Sequence, residues 1–137
     1  MKKLINSVLL LLFLNSVTLL RANNVQIANV TTTVNGGITT INFNLSWENS
    51  WRGGPASNYD AVWVFIKYKD ENGDWRHLEV TGNNNSADTS LSIEVPSDKK
   101  GVFVYRSADG FGNIPVSNIT LGVQQKSGSY DIKVFGL

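Results

Sequence analysis

The sequence predicts an all-β protein: a single antiparallel β-sandwich of about eight strands, immunoglobulin- or fibronectin-III-like in architecture, after a signal peptide. Apolar and polar residues alternate at period two through most of the chain after residue 22. Clusters of Gly, Asn, Asp and Ser separate these short runs at regular intervals, as in antiparallel sandwiches. No stretch there has the periodicity of a useful amphipathic helix, which leaves an all-β fold.

Residues 1–22 have the pattern of a secretory signal peptide. Lys2 and Lys3 precede an apolar run over 8–14, and Ala22 is a suitable cleavage residue. Polar residues interrupt the run soon afterwards, whereas a spanning helix needs about 20 apolar residues. An uncleaved N-terminal anchor is the alternative. We expect residues 23–137 to form one exported domain without a membrane span, located in the periplasm, at the cell surface or in the medium.

Composition excludes several classes of function. Removing the leader leaves nine basic and eleven acidic residues, scattered along the chain, so no basic surface for nucleic acid is expected. The chain has no cysteine, which excludes disulfides, thiolate nucleophiles and cysteine-ligated metals. Its single histidine, His77, excludes sites that need two. We therefore expect no metal or other cofactor.

The first two strands are predicted to form a hairpin. In "INFNLSW", Ile41, Phe43, Leu45 and Trp47 share one face and polar residues the other, which indicates a half-buried strand. The preceding "VQIANVTTTV" changes phase near Ala28 and Asn29, which predicts a bulge or a strand that switches sheets. "NGG" between the two strands supplies residues that tolerate positive φ.

The next strand, residues 61–68, is apolar on both faces and is therefore predicted to be central, covered by the opposite sheet and partly by loops or neighbouring aromatic residues. "DENGD" should turn the chain into a hairpin partner, "WRHLEV", with His77 facing solvent beside Trp75 if Leu78 points inward. The remaining strands are predicted in "SLSIEV", "VFVYRS", "IPVSNITLGV" and "YDIKVFG".

Two polar motifs suggest chemistry only weakly. Asp70, Asn72 and Asp74 have calcium-like spacing, but Gly73 does not match the glycine position of an EF-hand loop, so a solvated hairpin turn is favoured. His77 could be drawn into a Ser-His-Asp triad, but no nucleophile-elbow pattern accompanies it. We expect no catalytic residue and no enzymatic activity.

Loop aromatic residues are the best candidate for binding. Trp51, Tyr59 and Trp75 could form a platform that stacks sugar rings, with Arg52 as a further ligand-binding residue. Hydrogen bonds would come from Arg52, Asn58 and Asp60, and Tyr105 and Phe111 also lie in or beside loops. The favoured alternative is architectural: Trp51 folds back and pins the long predicted loop "ENSWRGGPASNYD" over the sheet.

Four segments together resemble a known family: "ANNVQIANV", "SWENSWR" with "NYDAVWVFIKY", "GVFVYRSADGFG" and "YDIKVFG". They are similar to the N-terminal β-domain of exported Bacteroidetes proteins whose second half is a formylglycine-generating-enzyme-like (sulfatase-modifying-factor) domain. The similarity covers essentially residues 23–137. In that family the "VFG" strand runs into the catalytic-type domain, whereas the sequence here stops at Leu137.

The resemblance implies an accessory module and transfers no catalytic residue. The family's oxidase activity, where present, uses cysteines and a metal in the second domain, and none of those positions exists here. Our leading hypothesis is therefore a non-catalytic, exported module, structural or protein-contacting, whose partner is another protein or the missing C-terminal catalytic domain. A carbohydrate-binding module that uses the loop aromatic residues is the alternative.

Overall fold

A computed structural model describes residues 23–56, 58–126 and 131–137; the predicted signal peptide lies outside these residues. The described residues form two packed antiparallel sheets without a helix. Sheet A comprises β1 (Gln26–Asn35), β2 (Ile38–Gly53), β3 (Asn58–Tyr59), β6 (Ser86–Ala87) and β9 (Gly110–Val123). Sheet B comprises β4 (Val62–Lys69), β5 (Trp75–Leu78), β7 (Leu91–Glu94), β8 (Val102–Arg106) and β10 (Ile132–Gly136).

The predicted sandwich architecture is confirmed, with a strand order of its own. Sheet A runs β1-β2-β9-β6 with β3 beside β2, and sheet B runs β10-β4-β8-β7 with β5 beside β4. In antibody domains the last strand pairs with the one before it. Here β10 pairs instead with β4, so β4 lies between β10 and β8. Two of the ten strands in the described part of the chain have only two residues each, which accounts for the difference from the predicted eight.

The core lies between the inward faces that the alternation predicts. Ile41, Phe43, Leu45 and Trp47 of β2 are at most 2% exposed. They meet Val62, Val64 and Ile66 of β4, with further apolar residues of β8 and β9. Burying each such side chain stabilises the fold by about 1.5–3 kcal/mol.

The first hairpin and its bulge are also confirmed. Gly36 and Gly37 form the two-residue loop between the paired residues Asn35 and Ile38. Their φ values of 57° and 81° are both positive, as a primed turn requires. The register between β1 and β2 shifts between Ala28 and Thr31. Asn29, with φ of 55°, absorbs that extra residue, so β1 stays in sheet A rather than crossing to sheet B.

The prediction of a long loop over residues 48–60 is wrong. β2 continues through Trp51 to Gly53 and then returns as β3, with Arg52 opposite Tyr59. Two register shifts between Leu45 and Ser50 let β2 follow β9 around this corner. Because bulges disturb the period-two pattern, the sequence shows no clear strand here.

Candidate functional site

The outer face of sheet B is aromatic because its strands carry bulky residues in both phases. In β4, Val62, Val64 and Ile66 point into the core, which turns Trp63 and Phe65 outward. The flanking strands do the same: β8 buries Val102 and Val104 and turns Phe103 outward, and β10 turns Phe135 outward. We call this outer surface the aromatic face. It comprises seven residues of sheet B, Trp63, Phe65, Trp75, His77, Phe103, Tyr105 and Phe135, together with Tyr59 of β3, which stacks on Tyr105.

Neighbouring rings on the aromatic face contact one another in pairs. Phe65 stacks on Phe135 with centroids 5.0 Å apart and planes 8° apart, and Tyr59 stacks on Tyr105 at 4.3 Å and 20°. Trp63 meets Phe103 at 4.8 Å with planes tilted by 51°. Each such pair contributes about 0.5–1.5 kcal/mol beyond area burial. In each stacked pair, one face of each ring is covered by the other ring.

The aromatic face remains partly open to solvent. Tyr59, Trp75, Phe103 and Phe135 are each 36–39% exposed. The prediction that β4 is central and partly covered by neighbouring aromatic residues is thus confirmed, but those neighbours do not close the surface. A continuous apolar surface of this kind marks an interaction site more often than isolated exposed residues do.

Sheet A has a contrasting outer face. Asn44 donates to Asn118 and accepts from Asn29, and Thr120 donates to Asn42. These short polar side chains hydrogen-bond one another across the strands, as expected where a sheet faces water. The middle of the outer face of sheet A is therefore polar, in contrast to the aromatic face of sheet B.

Cations border the aromatic face at both ends. The Lys133 ammonium lies 4.7 Å from the Trp75 ring centroid. Lys67 pairs with Lys133 on one side and with His77 on the other, so basic side chains form one row across the sheet. At the opposite end the Arg52 guanidinium carbon lies 5.5 Å from the Tyr59 ring and 5.8 Å from that of Tyr105. Cation–π contacts of this kind hold the rings and the cations in place.

Arg52 is a brace between the sheets. Its Nη1 donates to the Arg106 carbonyl oxygen at 2.6 Å, and its Nε lies 3.7 Å from a carboxylate oxygen of Asp109. The Nε atom is buried and, within the part of the chain that the structure describes, makes no hydrogen bond. Burial, followed by the nearby Tyr59, raises the pKa of Tyr105, so this phenol stays protonated at neutral pH.

Trp51 lies on the opposite face of β2 from Arg52. Its side chain is 47% exposed, and its cross-strand partner Phe111 is 90% exposed. The favoured expectation that Trp51 is buried under its own loop is therefore wrong. These two rings form a separate exposed pair at the outer side of sheet A, which we call the tip pair.

Asp60 supports the architecture of this corner. Its carboxylate accepts hydrogen bonds from Trp47 Nε1 at 3.2 Å, Ser50 Oγ at 3.0 Å and the Trp51 amide at 2.9 Å. Asn58 is also predicted to hydrogen-bond a ligand. It lies in β3 and pairs with Gly53 of β2. The polar groups predicted to accompany a sugar thus take part in the fold.

Trp75 lies far from the other predicted site residues. It pairs with Lys69 at the end of β4, whereas Tyr59 precedes the start of β4. The seven residue steps of β4 alone span about 23 Å. The structure brings Arg52 and Tyr59 together, places Trp51 on another face, and separates Trp75, so these rings do not assemble into one compact platform.

The weak motifs have structural partners. The Asp70 carboxylate accepts from the amides of Asn72 and Asp74 and from Arg76 Nε, as in a closed turn. The Asp74 amide first, and then the Arg76 side chain, lower the pKa of Asp70. Leu78 is buried and His77 exposed, as predicted, with its ring 5.8 Å from that of Phe65. Across residues 23–56, 58–126 and 131–137, no three His, Asp or Glu side chains are grouped for a metal.

Sequence reasoning missed Phe103 and Phe135 as candidate site residues. Their signal is present: in "VFVYR" and "IKVFG" the aromatic residue falls in the phase opposite to the buried valines. The pattern does not contain the strand order, which puts β8 and β10 on either side of β4. Only that order turns single outward rings into a continuous surface.

Comparison with protein-family models, with curated proteins and with solved structures finds no match. None of the described segments forms a helix with the length and apolarity needed to cross a bilayer.

Proposed function

We propose that this chain is a non-catalytic, exported accessory module that binds a protein partner through the aromatic face. The observation that carries the proposal is the set of four half-open aromatic residues gathered on the aromatic face, whereas the middle of the outer face of sheet A is polar. Leaving such a surface in water forgoes about 25 cal/mol per Å² of apolar area, which a partner would recover. Aromatic residues are also enriched at the energetic centres of protein interfaces.

The ring geometry favours a protein over a glycan on this face. Sugar stacking needs ring faces that are turned to solvent, whereas each ring of the stacked pairs Phe65–Phe135 and Tyr59–Tyr105 has one face taken by its partner ring. These half-exposed rings fit the apolar side chains of a protein surface, where aromatic contacts are favourable. The lysine row beside Trp75 would then contact acidic residues at the rim.

The family resemblance suggests which protein this partner is. In that family the strand equivalent to β10 leads into a formylglycine-generating-enzyme-like domain. Here β10 lies at the edge of the aromatic face, and Leu137 exchanges two backbone hydrogen bonds with Trp63. A domain that follows this strand, or a separate chain of the same type, would be adjacent to the exposed rings.

Binding to such a domain tests the proposal. The full chain and a formylglycine-generating-enzyme-like protein from the same genome are mixed and binding is measured by calorimetry. We expect Phe103→Ser and Phe135→Ser each to weaken binding about tenfold or more, as truncation of interface aromatic residues does. Phe111→Ser is the matched control, because Phe111 is 90% exposed but lies on sheet A. No binding by the folded wild type, or equal weakening by all three variants, would refute the proposal.

The tip pair supports a second candidate function, glycan binding. Trp51 and Phe111 face each other across β2 and β9, and their high exposure leaves apolar surface free for a sugar ring. A glycan array with the wild type, Trp51→Ala and Phe135→Ser separates the two functions. Glycan binding that is lost in Trp51→Ala and kept in Phe135→Ser supports the tip pair, and no binding by the wild type excludes it.

A further inference from the structure

Within residues 23–56, 58–126 and 131–137, no strand pairs with the outer edge of β1, and the sequence of this edge is complementary to itself. β1 is the edge strand of sheet A, and its C-terminal half reads Asn-Val-Thr-Thr-Thr-Val-Asn over residues 29–35. This heptapeptide is a palindrome centred on Thr32. In an antiparallel pair related by a two-fold axis at Thr32, every residue of the heptapeptide faces a residue of its own type. We propose that two copies of the chain pair through this edge to form a homodimer.

The backbone groups of the edge have the correct phase for this pairing. Asn35 and Ile38 close a two-residue turn, so they form a hydrogen-bonded pair, and such pairs alternate along an antiparallel ladder. Thr33 and Thr31 therefore bond toward β2, whereas Val34 and Thr32 direct their N–H and C=O groups away from it. Pairing about Thr32 joins these outward groups, because hydrogen-bonded pairs in the new ladder use alternate residues.

The side chains of the edge gain burial in the same register. Val30 and Val34 point to the side of sheet A that faces sheet B, yet they are 39% and 63% exposed because sheet B does not extend over them. In the dimer Val30 of each copy lies opposite Val34 of the other, and the two Thr32 side chains meet at the axis. Like pairs of β-branched residues are favourable across strands.

The edge also lacks the usual protection against pairing. Natural edge strands carry lysine, proline or inward charges that block association. β1 has no charged residue and no proline. Its N-terminal half lies beside β10, where a Cβ at Gly136 would come within 3.0 Å of both Val25 and Ile27, so the open part of the edge is the palindrome. Two-fold pairing there would join two four-strand paths, β1-β2-β9-β6, into one continuous sheet.

Charge placed on the axis tests the register. Protein expressed from the full sequence is studied by sedimentation equilibrium, and we expect a dimer mass for the wild type. Thr32→Lys brings two ammonium groups opposite each other and should weaken dimerisation about 100-fold or more, and Thr32→Glu should do the same. Mixing the two variants should restore a dimer, because the axis then pairs opposite charges. Neither substitution enters the core, since Thr32 is exposed.

The matched control is Thr33→Lys. Thr33 is exposed on the same strand, but the proposed register places it opposite Thr31 of the other copy, so the two new charges do not meet. We expect this variant to remain dimeric. A wild-type protein that stays monomeric at all accessible concentrations, a dimer that survives Thr32→Lys, or a mixture that fails to associate would overturn the proposal. The test is independent of the aromatic face, none of whose residues is in β1.

Discussion

Replacing Asp60 with alanine should be among the most destabilising single changes outside the apolar core. The Asp60 carboxylate holds the corner at which β2 becomes β3, and two of its three donors are buried: Trp47 is 1% exposed and Ser50 is 0% exposed. A buried donor that loses its acceptor costs about 1–3 kcal/mol. Two such donors give an expected loss of about 2–6 kcal/mol in the free energy of unfolding. For a domain of this size, each kcal/mol lowers Tm by about 4 °C.

Urea unfolding monitored by circular dichroism measures this loss, with an unchanged slope against denaturant as the sign of two-state behaviour. Asp109→Ala is the matched control, because the Asp109 side chain is 70% exposed and its ion pair with Arg52 spans 3.7 Å. We expect the control to cost less than about 1 kcal/mol. Asp60→Asn keeps one acceptor oxygen but turns an amide toward the Trp47 indole. Its loss in the free energy of unfolding should therefore lie between those of Asp60→Ala and Asp109→Ala. If Asp60→Ala lost no more free energy of unfolding than Asp109→Ala, the buried Trp47 and Ser50 donors would not depend on the Asp60 carboxylate.

Two further predictions concern a turn and a close contact. The folded-state pKa of Asp70 is lowered by the Asp74 amide and by Arg76, so the stability it contributes is present above its ordinary pKa and is lost as pH falls through the folded value. Asp70→Asn should flatten the dependence of unfolding midpoint on pH in that acidic window, and an unchanged slope would contradict the turn geometry. Gly101→Ala should cost about 3 kcal/mol, because its Cβ would lie 2.6 Å from the Trp63 ring. Gly82→Ala, with open space around it, should be nearly neutral in the same thermal melt, and equal costs for the two would argue against the close packing of Trp63.

Much of the fold was predictable because its signal is local. Period-two alternation in residues 41–47 directly reports which side chains face the core, and all four predicted inward residues are buried. The Asn-Gly-Gly turn and the phase change at Asn29 are equally local, since they arise from backbone conformations of a few adjacent residues.

The corner around Trp51 was less predictable. Bulges between Leu45 and Ser50 shift the phase of β2, so the pattern suggested a loop where a strand continues. The exposure of Trp51 and the role of Asp60 follow from that continuation. Both depend on contacts between segments that the bulges align, which no short window of sequence contains.

The sandwich, the inward faces and the absence of cysteine chemistry can be read from residue types and their spacing, because each is a local property of the chain. The candidate sites instead depend on contacts between distant segments. β4 is flanked by β8 and β10, which are distant in sequence, and this strand order alone assembles Trp63, Phe65, Phe103 and Phe135 into one surface. It also leaves β1 at an edge of sheet A. The palindrome becomes significant there, since self-pairing requires backbone groups that none of the described strands has taken.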